Sequence, residues 1–204
     1  MIGVLDYGQG NLFNARNGLL RAGAKRVGVV KTSRGILESD ALVIPGVGSF
    51  STAMARLAPL REAILEFSLQ KRPLLGICLG MQVLFEEGLE GGRTKGLGLL
   101  RGTVRKLVGA PRLPHVGWNT VLAIGEGRLF AGIRNNPQFY FVHSYAAAGV
   151  GENAISGMTE YGRPFVSAVE SGNVFGVQFH PEKSAGAGAR VLGNFVDLAK
   201  REMG

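Results

Sequence analysis

Leu74-Leu75-Gly76-Ile77-Cys78-Leu79-Gly80-Met81-Gln82 is the stretch on which the fold of this chain turns. Residues 74–77 form an uninterrupted apolar run, as in a strand buried on both faces of a parallel sheet. A helical run is predicted to begin immediately after Cys78, so this cysteine sits on a strand-to-helix turn with small residues two places before and after it. That is the pattern of a nucleophile elbow. A side chain at 76 or 80 would collide where the chain reverses, and its absence lets the sulfur project from the carboxyl edge of the sheet, where open α/β folds place their sites. An isolated cysteine is more often one more buried apolar residue. The flanking glycines favour the reactive reading. A free thiol with a pKa of about 8.5 is only a few per cent ionised at neutral pH, and a helix N-terminus or a nearby imidazolium favours the anion. The elbow is expected to supply the first of these.

On the N-terminal side, residues 2–5 read as a strand that ends at Asp6-Tyr7-Gly8-Gln9-Gly10, and after Asn11 a helix carries Leu12, Ala15, Leu19 and Leu20. Strands follow at 27–30 and 41–44, the second running into Pro45-Gly46-Val47-Gly48. A helix with Met54, Leu57, Leu60, Ile64 and Leu65 is ended by Pro73. This alternation predicts an α/β fold: a doubly wound, mainly parallel sheet with helices on both faces. Beyond the elbow the pattern changes to short strand-like segments at 98–108, 117–124, 139–147, 165–170 and 173–179, which read as hairpins extending a mixed sheet. A last helix over 184–202 should bury Val191, Leu192, Phe195, Val196 and Ala199. No linker, repeat or low-complexity tract divides the chain, so residues 1–204 are expected to form one domain.

Composition narrows the function classes. Apolar residues at 46% and charged residues at 19% suit a compact globule. Glycine, 32 of the 204 residues, falls in short pairs without a period, which excludes collagen and points to tight turns. The single cysteine cannot form an internal disulfide, the N-terminus lacks a signal-peptide pattern, and no apolar run is long enough to span a bilayer. A soluble, cytoplasmic protein is therefore expected. The net charge of +8 raises the question of nucleic acid, but the basic residues are scattered and lack an aromatic stacking platform. An acidic protein face is the better match for this charge. No metal is expected, since one cysteine and three widely spaced histidines contain no pair at ligand spacing.

Three histidines could act as the base for Cys78: His115, His143 and His180. His180 ends the apolar strand 174–179 and therefore occupies a strand end, like Cys78. Glu182, two residues on, can hold its imidazole in the tautomer that presents the other nitrogen to sulfur. A Cys78-His180-Glu182 triad follows, with its first two members 102 residues apart. His115 and His143 have no carboxylate placed to orient them and read as structural. Pro45-Gly46-Val47-Gly48 follows a strand in the manner of a phosphate loop but lacks the Gly-Lys-Ser/Thr ending, which makes nucleotide binding a weak reading; an alternative use is to offer a backbone N–H to a developing oxyanion.

Gly76-Ile-Cys78-Leu-Gly-Met-Gln82 and Gly176-Val-Gln-Phe-His180-Pro-Glu182-Lys-Ser184 resemble the two motifs of the class I (triad) glutamine amidotransferases, whose fold is flavodoxin-like. The resemblance covers nearly the whole chain. Asp6-Tyr-Gly-Gln-Gly-Asn11, Pro45-Gly-Val-Gly-Ser-Phe50, Pro114-His-Val-Gly-Trp-Asn119 and Tyr140-Phe-Val-His-Ser-Tyr145 narrow it to the branch of imidazole glycerol phosphate synthase glutaminases of histidine biosynthesis. It implies L-glutamine as substrate and no cofactor. It also implies Cys78 as nucleophile, His180 as proton carrier, Glu182 as its orienter, and an oxyanion hole from the N–H of Leu79 with one from Val47 or Gly48. Gly48, Gln82 and the main chain at Ser144 and Tyr145 correspond to positions that hold glutamine. In similar proteins the oxyanion loop is flexible, and loss of one such donor costs about 3 kcal/mol of transition-state stabilisation, so a flip within 46–48 is enough to switch turnover roughly 10²-fold.

The resemblance further implies a heterodimer, because the chain carries no second domain to use the ammonia. The partner is a (βα)₈ cyclase subunit that converts PRFAR to imidazole glycerol phosphate and AICAR. Asn11, Asn14, Trp118, Tyr140 and Lys183 match positions near the subunit interface of that family. Docking of a +8 chain on an acidic face predicts a complex that weakens as salt is raised, measured by titrating the two subunits at increasing ionic strength. Salt-insensitive association would remove the electrostatic reading. A stand-alone γ-glutamyl hydrolase, the glutaminase of a different synthase and a non-catalytic scaffold are the competing readings. The first would turn over fully without a partner, the second would copurify with another synthase, and the third is at odds with the presence of all three triad residues.

Overall fold

The computed structural model describes residues 1–123, 127–134 and 136–201. Its first half alternates as expected: β1 (Ile2–Leu5), α1 (Leu12–Arg21), β2 (Val27–Val30), α2 (Ser33–Leu37), β3 (Ala41–Gly46), α3 (Phe50–Leu57), α4 (Arg61–Leu69) and β4 (Leu74–Cys78). Asn11 caps α1 by accepting from the Asn14 N–H, and Thr32 caps the unforeseen short helix α2 by accepting from the Gly35 N–H. The helix expected over 54–65 is two helices, because Pro59 lies in a turn of 3₁₀ helix at Ala58–Leu60 that separates them.

After β4 come α5 (Leu79–Gln82), β5 (Phe85–Gly88), β6 (Thr94–Lys95), β7 (Leu100–Lys106), β8 (His115–Thr120), β9 (Leu122–Ala123), β10 (Gln138–His143), β11 (Tyr145–Ala148), β12 (Ile155–Tyr161), β13 (Arg163–Ser171), β14 (Val174–Val177) and α6 (Ala185–Arg201). The helix expected after the elbow lasts one turn. Val83, Leu84 and Phe85 are all fully buried, and their carbonyls accept from the N–H groups of Leu97, Leu99 and Gly98, so sheet-like pairing claims the backbone where the helix would have continued. The strand expected over 139–147 breaks at Ser144, its two halves joining different sheets. β12 had not been expected. The polar Ser156, Thr159 and Glu160 obscure its alternation, and its pairing with β13 shifts register on either side of Gly157. The ends of the expected segments 117–124 and 184–202 lie outside the described residues.

The large sheet runs β2-β1-β3-β4-β14-β13-β11-β7-β5-β6, with β12 and β9 attached beyond β13. Its first five strands are mutually parallel, and from β13 onward antiparallel pairs dominate, so the doubly wound half carries an antiparallel extension. One face is covered by α1, α6 and the Phe139, Phe141 and Phe179 cluster, the other by the helices between β2 and β4. Val191, Leu192, Phe195, Val196 and Ala199 of α6 are all buried, as the helical spacing predicts. β8 and β10 form a separate two-stranded sheet. Among the described residues, no helix is long and apolar enough to cross a membrane.

Candidate active site

β4 lies between β3 and β14, with Gly76 opposite both Ile44 and Gly176, and Gly46 opposite Cys78. All three strands are parallel, so the chain segments leaving them converge at one carboxyl edge: Val47 and Gly48 from β3, Cys78 from β4, His180 just beyond β14. This register brings together residues scattered through the sequence.

Cys78 has φ 55° and ψ −113°, a left-handed conformation that a residue with a side chain adopts only when its surroundings enforce it. The glycines around it permit the turn. A Cβ on Gly80 would run into the Ile44 carbonyl, one on Gly76 into the Gly80 backbone, and one on Gly46 would lie 2.6 Å from the Gly80 nitrogen. Three backbones thus meet where no side chain fits, and the sulfur is turned out of the sheet. Because α5 is only one turn long, its dipole is small, and the support for a thiolate comes mainly from the neighbouring imidazole.

The His180 Nδ1 is 2.8 Å from Glu182 Oε1, and both side chains are 3% exposed. The carboxylate fixes the tautomer and leaves the buried Nε2 without a nitrogen or oxygen partner, available to the Cys78 sulfur. Burial disfavours a charged ring, but the interactions of His180 with the Cys78 sulfur and with Glu182 outweigh it and raise its pKa to about 9. The raised value keeps a proton on His180 at neutral pH.

Cys78 and His180 line a cavity of about 300 Å³ together with Val47, Gly48, Leu79, Gln82, Ser144 and Tyr145. All the residues expected at the nucleophile, oxyanion and glutamine positions thus border this space, apart from Glu182, which stands behind His180. The loop 46–49 is held at both ends. The Tyr7 hydroxyl donates to the Pro45 carbonyl at 2.9 Å, and the Glu90 carboxylate accepts from the Phe50 N–H at 2.8 Å. Between these braces, Val47 is 46% exposed and Gly48 has φ 101°. The peptides most able to reorient are therefore those that flank Val47. The Ser144 and Tyr145 carbonyls are engaged, the first by Leu107 N–H, the second by Gln82 Nε2 and the His143 ring, so these acceptors are committed to the protein itself.

His115 and His143 are buried 3.1 Å apart, nitrogen to nitrogen, and stack among Phe141, Tyr161 and Phe165. Burial, assisted by the nearby His115 and His180 and only partly opposed by the Tyr145 carbonyl, lowers His143 to about 4, and burial lowers His115 as well. Both rings are neutral at pH 7 and structural, although His143 does border the cavity. Sequence reasoning missed two neighbours of the site. Gln178 is fully buried with its amide on the Cys78 sulfur, and its place two residues before His180 was the available signal. Glu90 lines the cavity from a loop that carries no sequence signal.

The outer face of the β8–β10 sheet pairs Val116 with Val142 and Trp118 with Tyr140. Val116 and Trp118, successive on this face of β8, are 54% and 52% exposed and leave an apolar patch uncovered. Lys183 Nζ lies 5.7 Å above the Tyr140 ring, and Trp118 and Lys183 share a groove with Gly18 and Arg21 of α1. Asn11 and Asn14 sit at the start of that helix, where Asn11 is occupied in capping. Of the expected interface residues, Trp118, Tyr140 and Lys183 form one cluster, while Asn11 and Asn14 lie at the N-terminal end of α1, a helix whose Gly18 and Arg21 line the same groove as Trp118 and Lys183.

The sequence model of the glutamine amidotransferase class-I family matches residues 3–198. The imidazole glycerol phosphate synthase subunit HisH of Methanocaldococcus jannaschii is 46% identical over 198 residues, covering 97% of this chain and all of that protein. The subunit of the same name from Moorella thermoacetica is 45% identical, covering 98% of this chain and 95% of its own length. Among solved structures, PurLQS from Thermotoga maritima superposes with a TM-score of 0.73 at 18% identity, over 96% of this chain and 97% of that one. The glutaminase domain of Trypanosoma brucei CTPS with bound acivicin superposes with a TM-score of 0.70 at 17% identity, over 98% and 93%. These two likenesses show the fold.

Proposed function

The chain belongs to the class I glutamine amidotransferases and, within them, to the family of imidazole glycerol phosphate synthase HisH subunits; from that premise we propose how the site works and what it works with. The activity is hydrolysis of glutamine to glutamate, with the ammonia used in histidine biosynthesis. The buried Cys78-His180-Glu182 arrangement on adjacent parallel strands carries the assignment of the chemistry. The Cys78 thiolate attacks the side-chain carboxamide carbon of glutamine. The resulting oxyanion is met by the Leu79 N–H and by an N–H of Val47 or Gly48. His180 gives its proton to the departing nitrogen, which leaves as ammonia, and a γ-glutamyl thioester remains on Cys78. The neutral His180 then takes a proton from water, the hydroxide attacks the thioester, and glutamate leaves as the thiolate is restored. Gln82, Gly48, Ser144 and Tyr145 shape the cavity that holds the amino acid. One domain, residues 1–204, carries all of these groups.

The chain works as one subunit of a complex, and the partner we assign is a cyclase subunit that takes the ammonia to convert PRFAR to imidazole glycerol phosphate and AICAR. The face formed by the exposed Val116, Trp118 and Val142 with the half-buried Tyr140 supports this reading. It adjoins the cavity through Val142, whose carbonyl lies 3.8 Å from the Cys78 sulfur. A partner seated there would sit beside the reacting atom. The loop around Val47 is the element through which occupancy of the partner would govern turnover. Neither a cofactor nor nucleic acid has a part in this reaction, and we place it in the cytoplasm, where the substrate and a free thiol are both maintained.

Glutamate release measured for the chain alone, with the cyclase subunit, and with the cyclase subunit plus its nucleotide substrate tests the assignment. Near-silence alone and a rise of about 10² in the complete mixture is the expected result, the size that recovery of one oxyanion donor would give. Full activity of the isolated chain would make it a free-standing hydrolase and remove the partner-gated reading.

A further inference from the structure

The side-chain amide of Gln178 lies on the Cys78 sulfur, and which end of that amide faces the sulfur is fixed by the Tyr145 carbonyl, acting through Gln82. Asn119 Oδ1 accepts from the Thr120 N–H, so its Nδ2 must donate, and it does so to the Glu160 carbonyl and toward His115 Nε2 at 3.3 Å. With Nε2 accepting, a neutral His115 carries its proton on Nδ1 and donates to His143 Nε2 at 3.1 Å. His143 then carries its proton on Nδ1 and donates to the Tyr145 carbonyl at 2.8 Å. The same carbonyl accepts from Gln82 at 2.9 Å, which sets that amide with its nitrogen toward the carbonyl. The Gln82 nitrogen also donates to Gln178 Oε1 at 2.9 Å. Gln178 is left with one orientation, its Nε2 directed at the sulfur, 3.8 Å away.

We propose that Gln178 is a further catalytic residue, whose Nε2–H donates to the Cys78 sulfur and favours its thiolate, with Gln82, held by the Tyr145 carbonyl, acting as the positioning residue for that donor. The geometry is selective because an amide N–H stabilises an anionic acceptor about twice as strongly as a neutral one. The Val142 carbonyl, 3.8 Å from the same sulfur, is an acceptor and can interact favourably only with the protonated thiol. The two neighbours thus favour opposite states, and Gln178 is buried where no water replaces it. This inference rests on Cys78 being the nucleophile. Its test uses alkylation, which needs no glutamine, so the two ideas fail separately.

The pH dependence of Cys78 alkylation by iodoacetamide is measured for the full chain and for Gln178→Met, which keeps the volume and removes the donor. The midpoint is expected to rise by about one pH unit and the alkylation rate at pH 7 to fall roughly tenfold, while kcat falls more than KM changes. Gln178→Asn, which keeps an amide but withdraws it from the sulfur by one carbon, should move the midpoint in the same direction. In the unaltered protein the Gln178 side-chain amide resonance should titrate with the alkylation midpoint, a reading that does not depend on whether either variant folds. An unchanged midpoint in the folded variants, or an amide resonance that ignores the ionisation of the thiol, would overturn the proposal and leave Gln178 as packing alone.

Discussion

Cys78→Ala should eliminate glutamine hydrolysis, lowering turnover by roughly 10⁴-fold or more, because no other group can form the γ-glutamyl intermediate. Cys78 is the only cysteine in the chain. The Cβ is retained, so the positive φ at 78 is occupied as before and the fold should change little in stability. Complex formation should also persist, since Val116, Trp118, Tyr140 and Lys183 lie on other elements. The decisive comparison is between two nitrogen sources. With glutamine, the complex containing the variant should make no imidazole glycerol phosphate, and with ammonium salts it should match the unaltered complex. Residual glutamate release by the variant would show that Cys78 is not the nucleophile. Loss of the ammonia-dependent reaction would show that the substitution reaches the partner.

Gly80→Ala should be the most damaging glycine-to-alanine change among the described residues. Its Cβ would occupy the position of the Ile44 carbonyl, a backbone group in the middle of the parallel sheet that cannot rotate away as a side-chain end would. The cost should be about 3 kcal/mol, at the upper end for overpacking, and turnover should fall further than stability because any relief separates β3 from the elbow and carries Val47 and Gly48 with it. Gly186→Ala is the matched control. It lies in α6 with open space around it, and it should be neutral or stabilising by up to about 1 kcal/mol. Denaturant midpoints and glutamate release for the two variants check this. Equal effects would mean that the close approach at Gly80 is not a constraint.

The fold was readable in the first half of the sequence because each strand there is a short apolar run and each turn is marked by glycine or proline, as at 45–48 and 76–80. The second half was less readable because its strands obey pairing and not pattern. Ser144 separates two strands that no local residue distinguishes, and β12 hides buried hydroxyls at Ser156 and Thr159 within what looks like a polar loop. The early end of α5 was missed for the same reason: the backbone after Gln82 is claimed by residues 97–99, far beyond any local window. The triad was expected from Cys78, His180 and Glu182 alone, since motif spacing encodes chemistry directly. Gln178 was overlooked because its meaning lies in an orientation passed through Gln82, and orientation leaves no trace in a sequence.

The pairing of β4 with β14 also bears on how the protein is made. The nucleophile leaves the ribosome 102 residues before its base, and at about 5–20 residues per second that interval lasts on the order of ten seconds. During that time β3, β4 and the elbow can assemble, yet the sulfur has neither His180 nor Gln178 beside it. The chain therefore lacks the proton carrier that hydrolysis requires until β14 has inserted beside β4. Competence for hydrolysis arrives with β14, the last of the described strands to be synthesised.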